Sequence, residues 1–283
     1  YKSNFQFRFY NYGSLATILS WKTNTDHWHI DKVYLNAGRT INDIYTREIR
    51  FVQPAGTMLK SFTSMPVYHY PMELRESVTS YINNNDSLNH PVTYSYYVLD
   101  NNGNPVPGLT EGFSGILPPY SSVDYNDYAP FAEAPVVAVY EPPNVDETIY
   151  NVVHTAKDSD DPSVGDTIYY QQVFSNYFAY DDGTAERSYG ASSDNTRIAV
   201  QFTSFEPHTL RAVQVYFNQV QGITNPDYFK IGVWNDNNGK PGKLIYETDG
   251  LKYTQDEINE FSSFIFPDTI IIRFGIENYF ISI

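Results

Sequence analysis

The sequence predicts an all-β protein built as tandem antiparallel β-sandwich modules, and three observations carry that prediction. Tyr (26) and Phe (18) are abundant while only 18% of residues are charged, a balance that suits half-buried pleated surfaces. Short runs of in-and-out alternation recur along the chain, separated by turns rich in Asn, Asp, Gly and Pro. Ala, Leu, Glu and Lys, which dominate helical proteins, do not dominate here.

At 283 residues the chain has room for two or three domains with separate cores. The changes of pattern divide it at 1–53, 54–173 and 174–283. The last boundary opens Phe174 to Gly190, FSNYFAYDDGTAERSYG, which reads as a strand, an acidic glycine turn and a polar re-entry. In the first segment, Phe5, Phe7 and Phe9 alternate with Gln6, Arg8 and Tyr10, as in a strand with one face on a core. HWHIDKVYL, His27 to Leu35, alternates again, with Trp28 and Ile30 opposite His27, His29 and Asp31. Residue 1 is Tyr inside a strand-like run, with no initiator Met and no signal peptide, so the chain reads as a fragment or processed product. These strands read as the last ones of a sandwich.

In the second segment Leu74, Val78 and Ile82 point to a core, and Val92, Tyr94, Tyr96 and Val98 form an alternating strand. Asp100 to Pro105, DNNGNP, is a tight hairpin, because Asn-Gly supplies the positive backbone angles it needs. Strands follow at 113–122, 148–156 and 167–174. The Pro-rich stretch from Pro130 to Pro143 must be edge or loop, since proline cannot donate to a ladder. In the third segment, strands are expected at 197–202, 209–217 and 228–234, with 243–247 returning after the turn NDNNGKPG, Asn235 to Gly242. In 209–217 the face of Arg211, Val213, Val215 and Phe217 is the more apolar. Phe264 to Arg273 is strongly apolar and β-branched, and FGIENYFISI, Phe274 to Ile283, reads as another strand with no readable turn between them.

Charge and composition exclude several functions. A net charge of −15 with no basic cluster opposes nucleic-acid binding, which needs Lys and Arg against phosphates. The absence of cysteine removes disulfides, thiolate metal sites and cysteine catalysis. No apolar run approaches membrane-spanning length. No G-x-S-x-G elbow, H-E-x-x-H helix or phosphate loop is present. Ser114 and six histidines are no more than chance allows, so the segment reads as non-enzymatic.

Two kinds of site are expected. Asp181 and Asp182 are adjacent, with Glu186 close behind, and this acidic turn is the candidate for calcium, which needs six to eight oxygens. The Asp100/Asn102 and Asp236/Asn237 turns are explained by turn chemistry alone. His27, His29 and Asp31 share a strand face with metal-competent groups, although H-x-H on a half-exposed strand more often only faces solvent. Among the tyrosines, Tyr97 and Tyr170 are expected to face outward, where they would stack on a sugar ring or anchor a protein partner.

Three resemblances add to this reading. TDHWHIDKVYLN, Thr25 to Asn36, resembles the closing strand of jelly-roll, concanavalin-like and MAM-like modules. The N-N-x-D strand end, the Tyr-rich strand, D-N-N-G-N and L-P-P-Y-S-S of Met65 to Val173 resemble adhesion-type immunoglobulin-like domains of bacterial surface proteins. FSNYFAYDDGTAE, HTLRAVQVYFNQV and FKIGVWNDNNGKPG, in order from Phe174 to Gly242, resemble a jelly-roll-like β-sandwich region of secreted Bacteroidota proteins, many exported by type IX secretion. No type IX sorting domain is recognisable at the C-terminal end. Together the resemblances imply an extracellular or outer-membrane-surface location and a non-catalytic role as spacer, adhesin or assembly subunit with a protein partner. The alternative they imply is a carbohydrate-binding accessory region of a secreted hydrolase, with a glycan as ligand.

Overall fold

The computed structural model describes residues 6–10, 22–23, 30, 33, 35, 37–43, 45–119, 131–135, 147–183, 188–189, 196–218, 228–253, 259–268 and 270–283. It is all-β with several antiparallel sheets, consistent with tandem β-sandwich modules. Contacts divide the chain into a middle unit, Asn36–Asp182, and a second unit formed by Tyr1–Leu35 with Gly183–Ile283.

Along the chain the strands are β1 (Lys22–Thr23), β2 (Ile49–Phe51), β3 (Ser64–Met65), β4 (Ser77–Ser80), β5 (Ile82–Asn84), β6 (His90–Leu99), β7 (Pro105–Leu117), β8 (Ala132–Pro135), β9 (Thr148–Asp158) and β10 (Gly165–Phe174). They continue as β11 (Ser188–Tyr189), β12 (Ala199–Thr203), β13 (His208–Leu210), β14 (Ala212–Tyr216), β15 (Gly232–Asp236), β16 (Pro241–Glu247), β17 (Phe261–Ile265), β18 (Ile272–Phe274) and β19 (Asn278–Ser282). One 3-10 helix, Val67–Met72, follows β3.

In the middle unit a five-stranded sheet runs β3-β10-β9-β6-β7, while β2 pairs with β5 and β4 with β8. Only the short β3–β10 contact in that sheet is parallel. Val92, Tyr94, Tyr96 and Val98 are all buried on its inner face, as their alternation predicts. Phe51 of β2 meets Tyr94 edge-on at 6.3 Å between ring centroids, so the β2–β5 pair covers this face. Each fully buried ring of this size contributes on the order of 2–3 kcal/mol by leaving water. The hairpin between β6 and β7 closes at Gly103 with φ +80°. The Asp100 carboxylate accepts the N–H groups of Asn102 and Asn104, both at 2.8 Å.

In the other unit β12-β19-β15-β16 form one sheet, and β13–β18 and β14–β17 form two ladders. β1 pairs with β11. Val233, Tyr279 and Ile281 from the sheet and Ile231 just before β15 meet Ile272 and Phe274 from β18 and Phe266 just after β17 in one core. Phe274 stacks on Tyr279 at 3.8 Å.

Three expectations change here. The run 209–217 breaks at Arg211, which is exposed, and the break turns both Leu210 and Val213 toward the core. Phe264 to Arg273 is two strands, separated by a turn in which Ile270 N–H donates to the Pro267 carbonyl at 2.8 Å. Residues 6–10 form no strand, and Phe7 and Phe9, 52% and 58% exposed, contact each other at 5.8 Å. His27, His29 and Asp31 lie outside the described residues.

Candidate binding face

The five-stranded sheet has a second face, turned outward. Alternate residues from Thr93 to Leu99, Ile149 to Lys157 and Thr167 to Val173 make up its three inner-strand rows. No carboxylate stands among them and the one charge is Lys157, in a chain with 33 acidic residues. The rest is Tyr, Thr, Ser, Asn, Gln and aliphatic.

Register places Val153 of β9 directly between Tyr169 of β10 and Tyr97 of β6. Val153 is 2% exposed although it stands on the outward face, whereas Tyr169 is 69% exposed and Tyr97 half-buried. Adjacent strands are about 4.8 Å apart, so the two tyrosines stand about 10 Å apart across the valine. One rung along, the Gln171 amide donates to the Asn151 side-chain oxygen at 3.1 Å. That bond leaves the Gln171 oxygen and the Asn151 N–H groups for other partners.

Tyr97 is therefore on the outward face, as expected, but Tyr170 is not. It shares the inner face with Gln172 and Phe174, and desolvation raises the pKa of its hydroxyl. The exposed tyrosine of the pair is Tyr169. Gln172 hid this parity, because it is polar yet fully buried. Its side-chain oxygen accepts from Met58 N–H at 3.0 Å and bonds the Thr57 hydroxyl at 2.8 Å, while its amide donates to the Thr63 carbonyl at 2.9 Å.

Asp181 and Asp182 are exposed, and the Asp181 carbonyl accepts the Thr63 hydroxyl. Glu186 lies outside the described residues. Among the described residues no group of three or more His, Asp or Glu side chains is placed to hold a metal ion. The Asp236 carboxylate turns into its own loop, accepting Gly239 N–H at 3.0 Å, as its turn chemistry predicts.

The ionisable groups that sequence reasoning missed are buried ones. Asp158, with a side chain 0% exposed, meets Arg47 at 3.1 Å and His90 Nδ1 at 2.7 Å, and accepts Asp160 N–H at 2.9 Å. Burial acts to raise its pKa, but the Asp160 N–H, the Arg47 guanidinium and His90 together hold it below the usual carboxylate range. His90 Nε2 reaches Asp86 at 3.0 Å. The His90 ring thus bridges the Asp86 and Asp158 carboxylates. The chain of groups ties residue 47 and the β9–β10 hairpin to the start of β6. No spacing in the sequence signals it, because its members are joined only by the fold.

His154 is fully buried on the inner face, where desolvation pushes its pKa down to about 4. His208, in the other unit, is likewise lowered by desolvation, and its Nδ1 lies 2.8 Å from the Ser204 hydroxyl. Trp234 stands on the outer face of the β12-β19-β15-β16 sheet, its indole N–H donating to the Ser282 hydroxyl at 2.9 Å.

No protein-family model matches the chain, and no curated protein matches it. No helix among the described residues is long and apolar enough to cross a membrane.

Proposed function

We propose that this chain is a non-catalytic structural and interaction protein of the cell exterior, a spacer, adhesin or subunit of an outer-membrane assembly. The observation that carries the reading is the outward sheet face with the row Tyr169, Val153, Tyr97 at its centre. Depletion of charge with retention of aromatic and small polar residues is the composition of surfaces that bind partners. A sheet holds such residues in fixed positions, so little order is lost on binding.

The buried ionisable groups support the same reading. Asp158, His90 and Glu73 are each engaged by neighbouring backbone or side chains, an arrangement that stabilises loops. The location rests on the resemblance of Phe174 to Gly242 to secreted Bacteroidota proteins and of the middle segment to bacterial adhesion modules. Export by type IX secretion belongs to the same proposal.

The test combines location and chemistry. Protease shaving of intact producing cells should remove the chain, and the purified protein should not turn over chromogenic glycoside, ester or peptide substrates beyond a heat-denatured control. Retention inside shaved cells, or turnover that follows the folded protein, would overturn the reading.

A further inference from the structure

Resting on the reading of the chain as a non-catalytic binding protein, we infer that the outward face of the five-stranded sheet is a binding site for a neutral polysaccharide. The site is centred on Tyr169, Tyr97 and the Gln171–Asn151 amide pair.

The chemistry of the face selects this ligand class. A sugar ring presents an apolar C–H face and a rim of hydroxyls, so it needs an aromatic ring to lie on and neutral donors and acceptors at the edge. Tyr169 offers the more open ring, 69% exposed, and Tyr97 stands level with it two strands away. Their strands carry them about 10 Å apart at the backbone, the length of a disaccharide unit, so the two residues are spaced to meet alternate sugars of a chain. The amide pair, whose internal bond is 3.1 Å, lies one rung from Tyr169 and presents both an acceptor and a donor.

Charge narrows the class further. A uronic or sulfated polymer would approach a protein of net charge −15 and find Lys157 as its one cation among the three inner-strand rows, so repulsion disfavours it. A neutral chain meets no carboxylate there that must be desolvated.

Affinity electrophoresis tests this with soluble neutral glucan, xylan and mannan in the gel and polygalacturonate as the acidic control. At least one neutral polymer should retard the wild-type chain, and polygalacturonate should not. Tyr169→Ala should weaken the retarding interaction about tenfold, the loss typical of a central aromatic anchor. Gln171→Ala should weaken it severalfold. Tyr228→Ala, at a 71% exposed tyrosine in the other unit, should leave it unchanged, and thermal melts of the three variants should match the wild type. No retardation by any neutral polymer would overturn the proposal, as would retardation that Tyr169→Ala leaves intact. Tyr169-dependent capture of an outer-membrane protein without any retardation would also overturn it, in favour of a protein ligand. Release of reducing ends from the polymer is scored separately: it would overturn the non-catalytic reading, while the Tyr169→Ala comparison still decides the site.

Discussion

The hydroxyl of Tyr94 and Nδ1 of His154 share a hydrogen bond of 2.8 Å in the interior of the middle unit. Ser80 donates its hydroxyl proton to Tyr94 at 3.3 Å. His154 Nε2 is buried without a hydrogen-bond partner. Phe51 and Tyr96 pack around the same ring, at 6.5 and 5.1 Å between centroids.

This arrangement makes the middle unit acid-sensitive. Burial pushes the His154 pKa from 6.5 down to about 4, so the folded protein stays neutral there while the unfolded chain takes up a proton. Stability from this group is complete above about pH 6.5 and falls as pH drops toward 4, by on the order of 3 kcal/mol in all. Denaturant titrations at pH 7.5, 5.5 and 4.5 should show that decline in wild type. His154→Gln keeps an acceptor for Tyr94 without titrating, so its decline over the same range should be clearly shallower. Equal slopes would show that burial does not set the acid response.

Asp158 and Arg47 share an ion pair but should respond very differently to removal. Asp158 is buried, and Asp158→Ala takes the shared acceptor from Arg47, His90 and the Asp160 N–H, a loss of about 1–3 kcal/mol. Arg47 has a side chain 46% exposed, so solvent screens its share and Arg47→Ala should cost clearly less. Urea unfolding of both variants measures the contrast, and comparable losses would contradict it.

How much of this was legible in the sequence depends on what each residue does. Val92 to Val98 could be read because apolar and polar residues alternate without interruption, and the Asp100 hairpin because its residue types answer to backbone angles. The parity of β10 was obscured by Gln172, a buried amide satisfied by a loop more than one hundred residues away. Tyr170 was therefore assigned the exposure that belongs to Tyr169. The break at Arg211 was hidden because β-branched and aromatic residues continue on both sides of it. The Arg47, Asp86, His90 and Asp158 chain has no local signature at all, since three separate loops bring it together. The binding face itself was half legible: Tyr97 could be placed outward from its own strand, but its partner across Val153 depends on the pairing register.

Gly232 controls the aromatic surface of the other unit. A Cβ at this position would lie 2.7 Å from the Ser282 hydroxyl, 2.8 Å from the Trp234 indole nitrogen and 3.1 Å from Arg197. Gly232→Ala should therefore separate Trp234 from Ser282 and from the Arg197 guanidinium, which sits 5.1 Å from its ring centroid. The expected results are a red-shifted tryptophan emission in the folded protein and a loss of about 1–3 kcal/mol. An unshifted spectrum with unchanged stability would mean that the indole is not held over this glycine.

The turn between β9 and β10 imposes a stricter demand at Gly165. A Cβ there would come within 2.4 Å of the Ala156 carbonyl oxygen and 3.0 Å of the Lys157 Cα, and both obstacles are backbone. No side chain can rotate away, so the hairpin must open. Opening it moves Asp158, whose N–H donates to the Val164 carbonyl at 2.9 Å, and with it the bonds to Arg47 and His90. Gly165→Ala should thus cost at least about 2–3 kcal/mol and should lose much of its additional effect in an Asp158→Ala background. A double-mutant cycle read by urea unfolding checks this. Strict additivity of the two losses would show that the close approach at Gly165 and the buried charge chain are independent.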